Sequence, residues 1–117
     1  MTLQELQLQL QRFVPQIEAL ANQIQQKRHE VTIAEAQFID ARTRAEDDIF
    51  SGRENIRMSL VSHYIHSKTA EKEKTFKGLK SQLQDLETQK SIIMEVNNTL
   101  KLSARMMMHE IENLPFS

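Results

Sequence analysis

Apolar residues return at every seventh position through the first half of the chain: Leu3, Leu10, Ile17, Ile24, Val31, Phe38 and Ala45. A companion series lies three residues further on, at Leu6, Phe13, Leu20, Lys27, Ala34, Ala41 and Asp48. Interleaved series spaced three and four apart keep one stripe of a helix facing a partner, so these are the a and d positions of a coiled coil. The second half repeats the pattern in a new frame. Met58, Ile65, Lys72, Leu79, Leu86, Ile93, Leu100, Met107 and Leu114 alternate with Ser62, Thr69, Phe76, Leu83, Lys90, Asn97, Ala104 and Ile111. Extending the first frame would place core residues at Gly52, Ser59, His66 and Glu73, all polar or small, so the two frames break near Gly52.

A break between two heptad frames predicts an all-α, long antiparallel coiled-coil hairpin that forms a single domain over 1–117. The first helix is expected over about 3–49, the turn near 49–53, the second helix over about 53–113, and a short tail over 114–117. Thr2-Leu-Gln-Glu5 and Ser51-Gly-Arg-Glu54 each spell a capping box, in which hydroxyl and carboxylate satisfy helix N-terminal amides reciprocally. Ser51 and Gly52 are therefore the expected structural turn, with Ser51 capping the second helix. Leu114-Pro115 stops that helix, because the residue before a proline is pushed out of the α region. With the reversal centred between Ser51 and Gly52, the register sets Leu3 opposite Leu100, Ile17 opposite Leu86, Lys27 opposite Phe76, and Phe38 opposite Ile65. Two features resist the pattern. Pro15 lies inside the first helix, where it should kink or restart it. Glu46, Asp47 and Asp48 crowd the helix C-terminus, the end whose dipole disfavours acids.

Composition narrows the picture without changing it. With 2 glycines and 2 prolines in 117 residues there is too little turn chemistry for anything but long helices. No apolar run approaches the roughly 18 residues of a membrane span. The N-terminal stretch lacks the basic and apolar blocks of a secretion signal, so the expected location is cytoplasmic. The absence of cysteine excludes disulfides and thiolate metal sites. No catalytic or phosphate-binding motif occurs, so the expectation is a protein that is not an enzyme, with no catalytic residue, cofactor or metal. His63 and His66 stand one helical turn apart, with Asp40 opposite His63 in the expected register. That spacing could share a metal, but two histidines on a helix face are far more often solvated.

Two helices bury only one seam each, so the pair should want further burial. Apolar residues off the seam cluster near the tip (Ile39, Ile49, Phe50, Ile56, Leu60, Val61 and Tyr64) and near the base (Leu8, Ile92, Met94, Val96, Leu102, Met106 and Met108). Between Ser67 and Ser91 the second helix has none that are large. Expected partner-binding residues are Leu60, Tyr64, Ile92, Val96, Leu102, Met106, Met107, Met108 and Ile111. Flexible methionines suit a surface that repacks around its partner. The expected partner is another helical protein, a second copy completing a four-helix bundle, or both, and the role that of assembly adaptor, dedicated chaperone or scaffold. In helix pattern alone, with no diagnostic motif, the chain is similar to small hairpins that serve bacterial export machines as chaperones or stalk subunits. The competing expectation is a helical arm that binds nucleic acid through the basic stretch 68–80, where Lys68, Lys72, Lys74, Lys77 and Lys80 are interrupted by Glu71 and Glu73. A net charge of −1 weighs against it, since such binders are usually strongly basic.

Overall fold

The computed structural model describes residues 2–112. It is a helical hairpin of two long helices packed on each other: α1 spans Leu3–Phe50 and α2 spans Val61–Glu112, with a 3-10 turn at Met58–Leu60 before α2. At the start of α1 the capping box forms as the sequence spells it. The Glu5 amide donates to Thr2 Oγ1 and the Thr2 amide to Glu5 Oε2, each at 3.2 Å. Pro15 neither ends nor restarts α1, which continues through it. The proline ring costs the Gln11 carbonyl its amide partner, and the helix carries that loss at an exposed position.

The reversal differs from the expectation. Ser51 does not cap α2, and the Ser51–Glu54 capping box does not form. Gly52 instead takes φ +80, the left-handed conformation that ends a helix, and returns its amide to the Ile49 carbonyl at 3.2 Å. A glycine in that conformation terminates α1 and cannot also open a new right-handed helix. The Glu54 amide then donates to the Asp48 carbonyl at 2.9 Å, and the chain runs on through Arg57, in extended backbone, before α2 starts at Val61. Arg53 folds back over the end of α1, paired with Asp47 and, at 3.6 Å, with Asp48, and its Nε donates to Ser51 Oγ at 3.0 Å. The acids at the end of α1 are thus answered by the first cation after the turn.

The longer connection slides α2 along α1. Phe38 stacks on Phe76, with ring centroids 6.1 Å apart, rather than facing Ile65. Lys27 Nζ donates to Gln82 Oε1 at 3.1 Å rather than lying along Phe76. The opposing residue lies 11 positions further along α2 for Phe38 and 6 for Lys27, and a displacement by whole heptads or from one core series to the other leaves a and d positions facing the seam. The heptad frames therefore survive while the opposing pairs change. All seam positions expected on the first helix, from Leu3 to Asp48, are buried or half-buried. On α2 the same holds from Ile65 to Met107 with one exception: Lys72 is exposed and Glu73 takes the half-buried place. Met58 and Ser62, expected in the seam, are exposed because they lie in the connection and the first turn of α2. Ile111 is also exposed, and Leu114 lies outside the described residues.

The packed residues form two compact units. Unit 1 brings together the part of α1 up to Ile24 and the part of α2 from Asp85; unit 2 is Gln25–Gln84. In unit 1 the buried residues are Leu6, Ile24, Asn97 and Ala104; in unit 2 they are Ala34, Ala45 and Thr69. Thr69 returns its hydroxyl proton to the Ile65 carbonyl at 2.9 Å, so its burial leaves no donor unmet. Three of the five buried apolar side chains are alanines, and no described side chain is fully buried. A buried leucine or isoleucine contributes roughly 1.5 to 3 kcal/mol and an alanine far less, so this seam is thin.

Candidate interaction surface

In unit 1, α2 carries apolar residues well outside the seam. Residues four and three apart share one flank of a helix. On one flank stand Ile92, Val96, Thr99, Ser103, Met106 and Glu110. Leu102 points outward between Glu95 and His109, and Met94 and Met108 occupy the opposite flank with Asn98, Lys101 and Arg105. Ile92, Leu102 and Met106 show 56%, 57% and 58% of their surface. Val96, Met94, Met108 and Ile111 are exposed as well, as are Leu8 and Val14 on α1. Met107 differs from its neighbours: it is half-buried in the seam, and only Met106 and Met108 face outward. An open depression of about 460 Å³ lies among Ser91, Met94, Glu95, Asn98, Thr99 and Leu102.

Unit 2 is built differently. Here α2 shows no large exposed apolar residue from Ser67 to Gln84, and Lys68, Lys77 and Lys80 are engaged within the unit. Arg42 sits over the Phe38 ring at 5.7 Å and Lys80 over the Phe76 ring at 5.8 Å, so the stacked pair is flanked by one cation from each helix. Lys77 pairs with Glu73 at 2.8 Å; that hydrogen bond first, then the lysine charge, holds the Glu73 carboxyl below its ordinary value, with a smaller contribution from His66. Lys68 lies over the Tyr64 ring at 5.6 Å. Partial burial, then the Glu54 and Asp48 carboxylates, raise the Tyr64 hydroxyl above the usual phenol value. Lys68 and Lys72 share an open depression of about 410 Å³ with Asp40, Arg44 and Asp48, a mixed-charge wall.

Of the expected partner-binding residues, Leu60, Ile92, Val96, Leu102, Met106, Met108 and Ile111 are exposed, whereas Tyr64 and Met107 are half-buried. Ile92, Val96, Leu102, Met106 and Met108 gather in unit 1. Leu60 and Tyr64 belong to unit 2, close in sequence to two side chains more exposed than any of the expected ones: Phe50 at 83% and Met58 at 90%. The heptad frame assigned Met58 to the seam, which is why its exposure was not legible in the pattern. Thr99 and Ser103 were passed over because they are polar, although their spacing continues the Ile92–Val96 flank. Among the described residues no group of three metal-ligating side chains comes together. Asp40 is paired with Arg44 at 3.1 Å, and the slide of α2 removes it from its expected place opposite His63. Among these residues, too, no helix is long and apolar enough to cross a membrane. No family model, curated protein or solved structure matches the chain.

Proposed function

We propose that this is a non-enzymatic protein-binding hairpin of the cytoplasm, an assembly adaptor, dedicated chaperone or scaffold subunit. Its α2 surface in unit 1 takes up the amphipathic helix of another polypeptide. The observation that carries this reading is the exposed apolar surface of α2 from Ile92 to Met108, on a helix whose seam buries so little. A partner helix laid along that surface supplies the burial that two helices cannot supply to each other. The depressions of unit 2 are open and lined largely by charged side chains, poor ground for chemistry that needs water excluded. The basic stretch 68–80 favours the same reading over nucleic acid. Lys68, Lys77 and Lys80 already meet rings or carboxylates of this chain, which leaves fewer free cations to follow phosphates.

The test is capture of a partner by the tagged chain at low and at high salt, beside variants Val96→Asp and Met106→Asp. Both positions are exposed, so circular dichroism should report undiminished helicity. Loss of capture in both variants, with little dependence on salt, is the expected result. Met107→Asp would not serve, since it would break the seam itself. Binding that persists in both variants but collapses as salt rises, and weakens on Lys74→Gln with Lys77→Gln, would replace this reading with a nucleic-acid arm.

A further inference from the structure

We infer that the partner of this surface is a second copy of the chain, docked α2 against α2 in antiparallel fashion about a two-fold axis at Leu102. The inference rests on the reading of unit 1 as an interaction surface and names its occupant.

Three observations converge. The first is the order of side chains along the flank. Val96, Thr99, Ser103 and Met106 read large, small, small, large from either direction. A two-fold interface requires one patch to complement itself, and a sequence that reads alike both ways along a helix does so when the helices run antiparallel. Val96 then faces Met106 of the second copy, and Thr99 faces its Ser103. The spacing of four and three along this flank repeats that of the intramolecular seam, so the same knobs-into-holes packing can form on a second side of α2.

The second is charge. In an antiparallel pair with this core, the outward positions Glu95, Leu102 and His109 flank the contact on its solvent side. Leu102 meets Leu102 of the second copy on the axis, and Glu95 of each copy comes beside His109 of the other, twice by symmetry. Lys101 and Arg105 lie toward the opposite flank, so like cations do not confront each other across the axis.

The third is area. The chain exposes 9196 Å², whereas the scaling of surface with mass gives roughly 6,600 Å² for a folded monomer of 13.7 kDa. A standard interface removes about 800 Å² from each partner. The surplus is about three times that, and in unit 1 Ile92, Val96, Leu102 and Met106 stand among the exposed large apolar side chains.

The test exploits a chain without cysteine, in which any introduced thiol is the only one. Light scattering on the full-length chain should report twice 13.7 kDa. Mild oxidation of Leu102→Cys should link most of the protein into covalent dimers, and Met94→Cys, on the opposite flank, should link at least tenfold more slowly. Glu95→Lys should weaken the dimer several-fold, and adding His109→Glu should restore it by exchanging the charges. A chain that stays monomeric at high micromolar concentration with its helicity intact overturns the inference. So does a dimer that links as readily through Met94→Cys as through Leu102→Cys. The monomer result would leave capture of a foreign helix to be decided by Val96→Asp and Met106→Asp, so the two readings fail separately.

Discussion

Units 1 and 2 are cut from the same two helices and use the same heptad seam, yet they treat the outside of α2 in opposite ways. In unit 1 the helix shows Ile92, Val96, Leu102 and Met106 to solvent. In unit 2 it shows no large apolar residue between Ser67 and Gln84, and Lys68, Lys80 and Lys77 meet Tyr64, Phe76 and Glu73. The difference separates two tasks. Unit 2 is furnished to define how the helices pair: the aromatic stack contributes about 0.5 to 1.5 kcal/mol beyond its area, and each flanking cation about 0.5 to 1 kcal/mol. Unit 1 leaves apolar side chains of α2 exposed, which is where the proposed partner would add most.

The largest expected effect tests seam against flank with one residue type. Ile24 in unit 1 is 4% exposed and Ile92 56%. Ile24→Ala should cost about 2 to 4 kcal/mol in chemical unfolding. Ile92→Ala should change the stability of the dissociated chain by less than about 0.5 kcal/mol while weakening assembly. Equal losses at the two positions would erase the distinction between seam and surface. Next is Phe76→Ala in unit 2, which removes a half-buried ring, its stack on Phe38 and its contact with Lys80, and should cost about 2 to 3 kcal/mol. The same layer tests the slide: paired cysteines at Phe38 and Phe76 should form a disulfide more readily than a pair at Phe38 and Ile65.

Smaller is the effect expected at the reversal. Gly52→Ala meets no steric obstacle, since nothing lies within 4 Å of the added methyl, but φ +80 strains any L side chain. The loss should be about 1 kcal/mol, read as a lowered denaturant midpoint with unit 1 assembly unaffected. Smallest is the carboxyl of Glu73. Its value lies below the ordinary one because Lys77 stabilises the charged form, so its contribution to stability is present above the ordinary glutamate range and is lost as pH falls through the lowered value. Carboxyl NMR titration should show Glu73 moving back up in Lys77→Gln; an unchanged midpoint would mean the pair does not persist in solution.

Much of this was readable in advance because heptad spacing is a local property. The seam residues of α1 from Leu3 to Asp48, the Thr2–Glu5 cap and the cluster of apolar residues from Ile92 to Met108 follow from spacing and residue type alone. The turn was misread for an equally local reason. Ser51-Gly-Arg-Glu54 fits a helix start as well as a helix end, and φ at Gly52 decided between them. Lys72 and Glu73 exchanged places for a reason that lies outside their own segment: across the groove, Asp40 and Asp48 line the depression that Lys72 joins.

Sequence by itself determined the phase of this protein: which stripe of each helix is apolar, that the stripe breaks near Gly52, and where additional apolar surface stands. Tertiary structure alone decided the register. Core positions recur every three and four residues along α2, so spacing fixes which stripe faces α1 but not which core residue, Ile65 or Phe76, lies against Phe38. That degeneracy is lifted only by terms that do not repeat every seven residues, namely the left-handed end at Gly52, the length of chain before Val61, and the stacked rings of Phe38 and Phe76 with a cation on either side.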